Sequence, residues 1–271
     1  MKQVKLSTHE LHLIDQGQGA PLLLLHGFPL DHRMWRGQID LFSRDYRVLA
    51  PDLRGFGHSG SPAGDDSSAT TTMEQFADDL AELLDVLGVS ERVVLCGLSM
   101  GGYVAWQFWK KYSLKLRGLV VCDTRAAADS PEALAGRMKM IDHVLRAEGT
   151  RYVAEAMLPK MFAPSAQLDQ PAAVDLMRQT ILAARPAGIA AALRGMAARP
   201  DMTDQLPRME VPTLVIVGEH DTISPVTEMR AIAERIRGAK LAVISGSGHM
   251  TPLENPAEFN AALRGFLESL P

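Results

Sequence analysis

The chain has 271 residues, 46% of them hydrophobic and 22% charged, which is the balance of an ordinary folded protein and excludes a disordered tail or a collagen-like repeat. Its 28 Lys+Arg against 32 Asp+Glu leave a net charge of −4 with no long single-sign run, so electrostatics argues against nucleic acid or an anionic membrane as the partner. The length allows one large domain or two small ones.

Short apolar runs at Leu11–Ile14, Leu22–Leu25, Val48–Leu49, Val93–Cys96 and Leu119–Cys122 predict strands. The last two are apolar on both faces, as in a parallel sheet covered by helices. Before them, Thr72 and Gln75 have capping-box spacing, Phe76, Leu80, Leu83, Leu84 and Leu87 make one apolar face, and Gly88 closes that helix. From Ala126 onward no strand pattern is present, and prolines at 131, 159, 164, 171, 186 and 200 cut an alanine-rich stretch into short helices. Strands resume at Thr213–Val217 and Leu241–Ile244, separated by a helix near Thr227–Arg237, and Pro256 opens a last helix. The expected architecture is α/β, with a mostly parallel sheet core in residues 1–125 and 204–271 and a helical insert at 126–203.

Cys96 and Cys122 both sit in apolar runs and read as buried free thiols of a reducing compartment. Met1 to Asp15 lacks the apolar segment of a signal peptide, and Leu22 to Leu25 is too short to span a bilayer, so a cytoplasmic protein is expected. Eight of the 14 methionines (Met138, Met140, Met157, Met161, Met177, Met196, Met202 and Met209) lie in or just after the insert. They read either as gap-fillers among alanine-rich helices or as a pliable apolar lid.

The segment Val93-Val94-Leu95-Cys96-Gly97-Leu98-Ser99-Met100-Gly101-Gly102 runs from a strand through Gly-x-Ser-x-Gly into a helix-like stretch. A serine on such a turn needs small neighbours, which Gly97, Gly101 and Gly102 supply, and the helix N-terminus aims N–H groups where negative charge would develop. This strand, turn and helix resemble the nucleophile turn of the α/β-hydrolase family, and the resemblance covers nearly the whole chain. It implies a serine nucleophile at Ser99, then an acid, then a histidine in a late loop. His249, in Ser245-Gly246-Ser247-Gly248-His249-Met250, fits the histidine; Asp221, after the strand Thr213–Val217, fits the acid. Asp123, at the end of Leu119–Cys122, is the rival acid, and Asp221 is preferred because its loop and its spacing to His249 match the family arrangement. His220 reads as a surface or supporting residue. The other histidines lack metal-ligand spacing, so no metal is expected.

His26-Gly27-Phe28-Pro29 resembles the family's oxyanion loop. The implied donors are the backbone N–H groups of Phe28 and Met100, with His26 and Gly27 supporting the loop and Pro29, which has no N–H, restricting Phe28. The run His26 to Asp31 is also similar to that of cofactor-free haloperoxidases and perhydrolases. Gly97-Leu98-Ser99-Met100-Gly101-Gly102 resembles enol-lactonases. Gly55-Phe56-Gly57-His58-Ser59-Gly60 matches a dinucleotide fingerprint in letters, but Pro62, Gly64 and a polar run to Ser68 follow where a helix should begin.

These residues imply a cofactor-free serine hydrolase of a small carboxylic ester or lactone, working through an acyl-enzyme on Ser99. The same machinery would serve a C–C bond hydrolase of a ring-cleavage product or a perhydrolase. A small-molecule receptor with a retained triad is the alternative of another class, and an exposed apolar face on the insert would favour it. The oligomeric state is left open.

Overall fold

The apolar runs become the strands of one sheet in a computed structural model that describes residues 1–61, 64, 66–146 and 148–271. Pro62 lies outside the described residues. In chain order the strands are β1 (Lys2–Lys5), β2 (Glu10–Gln16), β3 (Pro21–Leu25), β4 (Arg47–Pro51), β5 (Val93–Leu98), β6 (Leu116–Cys122), β7 (Thr213–Gly218) and β8 (Lys240–Ile244). Their spatial order is β1-β2-β4-β3-β5-β6-β7-β8. β1 pairs with β2, and β2 with β4, antiparallel; every other pair is parallel. Every residue of β3, β5 and β7 is buried, as central strands covered on both faces must be. β1 was not foreseen, because three of its four residues are exposed and polar and only Val4 is buried.

The helices are α1 (Arg36–Phe42), α2 (Met73–Val86), α3 (Met100–Tyr112), α4 (Pro131–Val144), α5 (Gly149–Met161), α6 (Pro164–Asp169), α7 (Pro171–Ala183), α8 (Pro186–Ala197), α9 (Val226–Arg235), α10 (Thr251–Glu254) and α11 (Pro256–Ser269). The expected capping box forms at α2, with the Thr72 hydroxyl accepting from the Gln75 N–H and the Gln75 side chain accepting from the Thr72 N–H. α1 and α10 are too short for a periodic signal. Of the eight prolines between β6 and β7, four open helices, the position where a missing N–H costs nothing. Pro159 departs from the expectation. It lies inside the last turn of α5 and does not cut the helix there.

Helices α4 to α8 all fall between β6 and β7. The two ends of this segment meet where the Met202 N–H donates to the Ala126 carbonyl, 2.8 Å. Arg199 is buried there and bonds Asp129, at 2.6 Å, and the Ala127 carbonyl, at 2.9 Å. α8 is pressed against the sheet-bearing part of the chain. A Cβ on Gly195 would lie 1.7 Å from the Thr71 carbonyl oxygen, and the Thr71 N–H donates to Ala191.

Parallel register carries five strand ends to one edge of the sheet. Leu25 stands beside Gly97, Leu98 beside Cys122, Cys122 beside Ile216 and Gly218 beside Ile244. The loops that leave these ends carry the sequence-predicted site residues, in keeping with the rule that open α/β sheets present their chemistry beyond the carboxyl ends of the strands.

Gly97 is the tightest point at that edge. A Cβ there would stand 2.3 Å from the Gly101 carbonyl oxygen and 2.9 Å from the Gly102 nitrogen, both backbone atoms of the turn into α3. Gly97→Ala should therefore force β5 away from α3 and cost about 3 kcal/mol or more. Urea denaturation followed by far-UV circular dichroism would measure it.

Candidate active site

Ser99 stands between the last residue of β5 and the first of α3, with φ +54° and ψ −112°. That backbone is costly for any residue with a Cβ and is held by its surroundings. The Ser99 N–H donates to the Cys122 carbonyl at 2.9 Å. Its carbonyl accepts from the Gly102 and Tyr103 N–H groups at 2.9 and 3.2 Å. The Thr124 hydroxyl donates to the same carbonyl at 2.7 Å. A Cβ on Gly101 would be 2.6 Å from the Leu25 carbonyl oxygen, so only glycine lets the helix start approach β3. Met100 is the first residue of α3, where a backbone N–H has no partner within its own helix.

Asp221 and His249, expected as acid and histidine, are in contact: His249 Nδ1 is 2.8 Å from Asp221 Oδ2. Both are buried. The other Asp221 oxygen accepts from the Ile223 and Ser224 N–H groups at 2.7 and 3.0 Å, which fixes the carboxylate plane. His220 lies on the outside, exposed beside Glu219.

The rival acid is here as well. Asp123, Asp221 and His249 place their polar atoms within 4.8 Å of one another. Asp123 has a left-handed backbone, φ +47°, and is fully buried. Its Oδ1 accepts from the Gly218 N–H at 2.8 Å and its Oδ2 from the Thr251 hydroxyl at 2.5 Å. Burial, and after it the charge of Asp221, pushes the Asp123 carboxyl well above the usual carboxylate range. Two neighbouring acids thus have different surroundings: Asp221 is the one bonded to His249, and Asp123 bridges β7 to Thr251.

Glu254, at the end of α10, was missed by sequence reasoning. Its Oε1 accepts from the N–H groups on either side of His249, those of Gly248 and Met250, at 3.0 and 2.9 Å. Its Oε2 accepts from the Ala163 N–H at 2.7 Å. The His249 N–H donates to the Met161 carbonyl at 2.9 Å, so the histidine loop is bonded to the junction of α5 and α6. Burial raises the Glu254 pKa and the three N–H groups oppose that rise. The one sequence signal available was an acidic residue five positions beyond His249 among Thr, Pro and Leu.

The loop after β3 packs against the serine turn. A Cβ on Gly27 would be 2.9 Å from a Leu98 methyl and 3.5 Å from the Ser99 Cβ. His26 is fully buried, and both its ring nitrogens are bonded, Nδ1–H to the Gly27 carbonyl at 2.9 Å and Nε2 to the Leu53 N–H at 3.0 Å. Burial holds this ring neutral by lowering its pKa. Phe28 is joined to Pro29 by a cis peptide, and its ring packs edge-on against Phe56.

A second group, Asp31, His32 and Asp52, also brings metal-ligating atoms within 4.8 Å. Its oxygens are already engaged by protein donors. Arg33 bonds both oxygens of Asp31. Asp52 accepts from His32 Nδ1 at 2.6 Å and from the His32 and His58 N–H groups at 3.0 and 2.9 Å. Asp52 also lies where a Cβ on Gly57 would clash, at 2.2 Å, which explains the Gly-rich letters of residues 55–60 as a turn around a carboxylate. Among the described residues no helix begins between Gly60 and Met73, as the sequence led us to expect. Cys96 and Cys122 are buried free thiols with sulfurs 3.8 Å apart on neighbouring strands.

A cavity of about 480 Å³ opens beside Phe28, between α4, α5 and the Thr222–Ile223 turn that follows Asp221. Its walls are Met140, Met157, Leu193, Ile223 and Tyr152, with Arg137, Lys139 and Lys160 supplying charge. Of the eight methionines in or just after residues 126–203, only Met140 and Met157 line it. Met161, Met177, Met196, Met202 and Met209 are packed in the interior, and Met138 is exposed. For most of them the gap-filling account is the physical one.

The profile of the Alpha/beta hydrolase family matches residues 22–262. The 3-oxoadipate enol-lactonase 2 of Acinetobacter baylyi is 27% identical over 253 residues, covering 93% of this chain and 90% of that protein. A thermophilic esterase from Thermogutta terrifontis, solved with malate bound, superposes with a TM-score of 0.94 at 46% identity over 99% of this chain and 98% of that one. The enol-lactonase from Burkholderia xenovorans LB400 does so with a TM-score of 0.89 at 28% identity, covering 99% and 100%. No helix among the described residues is long and apolar enough to cross a membrane. A family match over most of the length, on an eight-stranded sheet of this order and among esterases and lactonases, makes this chain a member of the alpha/beta hydrolase family and an ester hydrolase within it.

Proposed function

We propose that this hydrolase cleaves a small carboxylic ester or lactone through an acyl-enzyme on Ser99. The observation that carries the reading is the buried 2.8 Å contact of His249 Nδ1 with Asp221, on the sheet edge where Ser99 sits at positive φ. A carboxylate bonded at Nδ1 keeps the proton there and leaves the Nε2 lone pair to act as base. In this mechanism His249 takes the Ser99 hydroxyl proton as Oγ attacks the carbonyl carbon. The oxyanion forms against the Phe28 and Met100 N–H groups. Collapse expels the alcohol, which receives the proton from His249; water then repeats the sequence to release the acid. The relatives, an esterase and two enol-lactonases, support ester or lactone chemistry.

Residues 126–203 form a lid in this reading. Its support is the closure of both ends at Ala126 and Met202 and the cavity between α4, α5 and Phe28. One observation favours the receptor alternative: Leu134, Met138 and Leu145 are exposed on or beside α4, and Leu168 on α6. Turnover decides between the two, because a receptor with a retained triad turns over slowly.

Ser99→Ala should lower kcat on p-nitrophenyl acetate by on the order of 10⁶, with loss of fluorophosphonate labelling. Retention of near wild-type turnover by that variant would sink the assignment. The two acids should separate cleanly. Asp221→Asn should cost about 10⁴ in kcat, since the amide favours the wrong imidazole tautomer. Asp123→Asn, replacing a carboxyl already held toward its neutral form, should stay within about tenfold; the reverse ranking moves the role to Asp123. Glu254→Gln leaves one oxygen for three N–H groups, so the histidine loop should loosen, and kcat should fall by about 10²-fold at most with little change in KM. Equal losses in kcat/KM and in folding stability without that split would reduce Glu254 to a purely structural residue.

A further inference from the structure

Three cationic side chains line the cavity beside Phe28, and no carboxylate does. In a chain of net charge −4 that is a local reversal of sign. Arg137 is held in place: it bonds Asp129, which also binds Arg199, so two guanidiniums share one carboxylate and the group keeps a net positive charge. Lys139 and Lys160 differ from the lysines that neutralise surface acids, such as Lys111 on Asp78 and Lys115 on Asp85. Among the described residues neither Lys139 nor Lys160 forms an ion pair. They come from two different helices, α4 and α5, and meet at the same opening. Met140, Met157 and Leu193 line the same cavity, and Tyr152, also in its wall, stacks on His143 with ring centroids 3.9 Å apart.

A largely apolar cavity of this volume, lined both by Phe28, a candidate oxyanion donor, and by Arg137, Lys139 and Lys160, suits a particular kind of substrate. We propose that Arg137, Lys139 and Lys160 form an anion subsite, and that the preferred ester or lactone carries a carboxylate remote from the carbonyl that reacts. The proposal rests on the reading of Ser99 as nucleophile for its catalytic consequence, but the anion subsite itself does not need turnover to be seen. Low-dielectric walls focus the field of the cations along the cavity, so the carboxylate would both speed encounter and fix which end of the substrate enters first.

Mono-p-nitrophenyl glutarate and p-nitrophenyl pentanoate have the same chain length and differ in the terminal carboxylate. The wild-type protein should prefer the glutarate ester in kcat/KM at low salt, and the preference should shrink as salt is raised to about 0.5 M. In the double variant Lys139→Glu/Lys160→Glu the ratio of glutarate to pentanoate kcat/KM should fall by about tenfold or more. Both positions are exposed on helix surfaces, and a thermal melt confirms folding. 4-Butyryloxybenzoate, with the carboxylate on the leaving group, tells which side of the ester carries the anion. A ratio that stays within twofold of wild type for both anionic esters would overturn the proposal. If no ester is hydrolysed, the nucleophile reading fails, and calorimetric titration of glutarate then decides the subsite alone. Saturable binding by the wild type that is lost in the double variant supports it; equal binding, or none, overturns it.

Discussion

The backbone at Ser99 is the constraint on which the site depends. A residue with a Cβ at φ +54° stores strain, of order 1–3 kcal/mol by general experience, and would relax if anything around it gave way. Nothing around it can. Gly97 lets the start of α3 lie directly on β5, Gly101 lets it lie on the end of β3, and Gly102 leaves room for Thr124, whose hydroxyl holds the Ser99 carbonyl. Those three contacts pull β3, β5 and the residues after β6 to one point. The loops bearing Phe28, Ser99 and Asp123 are therefore set by backbone packing, before any side-chain chemistry is considered.

Around His249 the sheet edge concentrates acids that would repel one another if all were charged. Asp221, Asp123 and Glu254 are all buried. They coexist because each meets different donors. Asp221 has two backbone N–H groups and the imidazole; Glu254 has three backbone N–H groups; Asp123 has one N–H and a hydroxyl, and its pKa is pushed well up. An Asp123 carboxyl pushed toward its neutral form lessens the like-charge repulsion that would otherwise weaken the Asp221–His249 bond. Two carboxyls in one pocket thus meet different hydrogen-bonding surroundings.

Much of this was legible in the residues. The all-apolar runs predicted the central strands because strands covered on both faces need no alternation, and Gly97-x-Ser99-x-Gly101 marked the strained turn because few other sequences can adopt it. The positions of Asp221 and His249 at strand ends followed from the chain order of a resemblance, and the contact between them needed the register of β7 and β8. What stayed hidden depends on distance in space. Asp123 and Asp221 are both acids after strands, and only their hydrogen bonds tell them apart. Glu254 gave little sign, because a carboxylate that binds backbone N–H groups needs no partner side chain to betray it. β1 and α1 were missed since an exposed edge strand and a seven-residue helix carry too few buried positions for a period to register.

The insert is joined to the sheet-bearing part unevenly, and that bears on where a substrate could enter. At the junction of α5 and α6 the backbone is tied to the histidine loop by His249 to Met161 and by Ala163 to Glu254, and Gly248 packs so closely that a Cβ there would stand 2.6 Å from the Ala163 nitrogen. α8 is tied at Thr71 and Gly195. Movement at either place would drag His249 or the chain leading into α2 with it, and so would cost the geometry that the proposed mechanism needs. Among the described residues α4 and the first turns of α5 carry no such bond to the histidine loop, and they supply Arg137, Lys139, Met140, Tyr152 and Met157 to the cavity wall. The part of the insert that can vary in sequence or position without disturbing the reacting groups is the part that shapes the cavity, which is the division of labour expected when one fold serves many substrates.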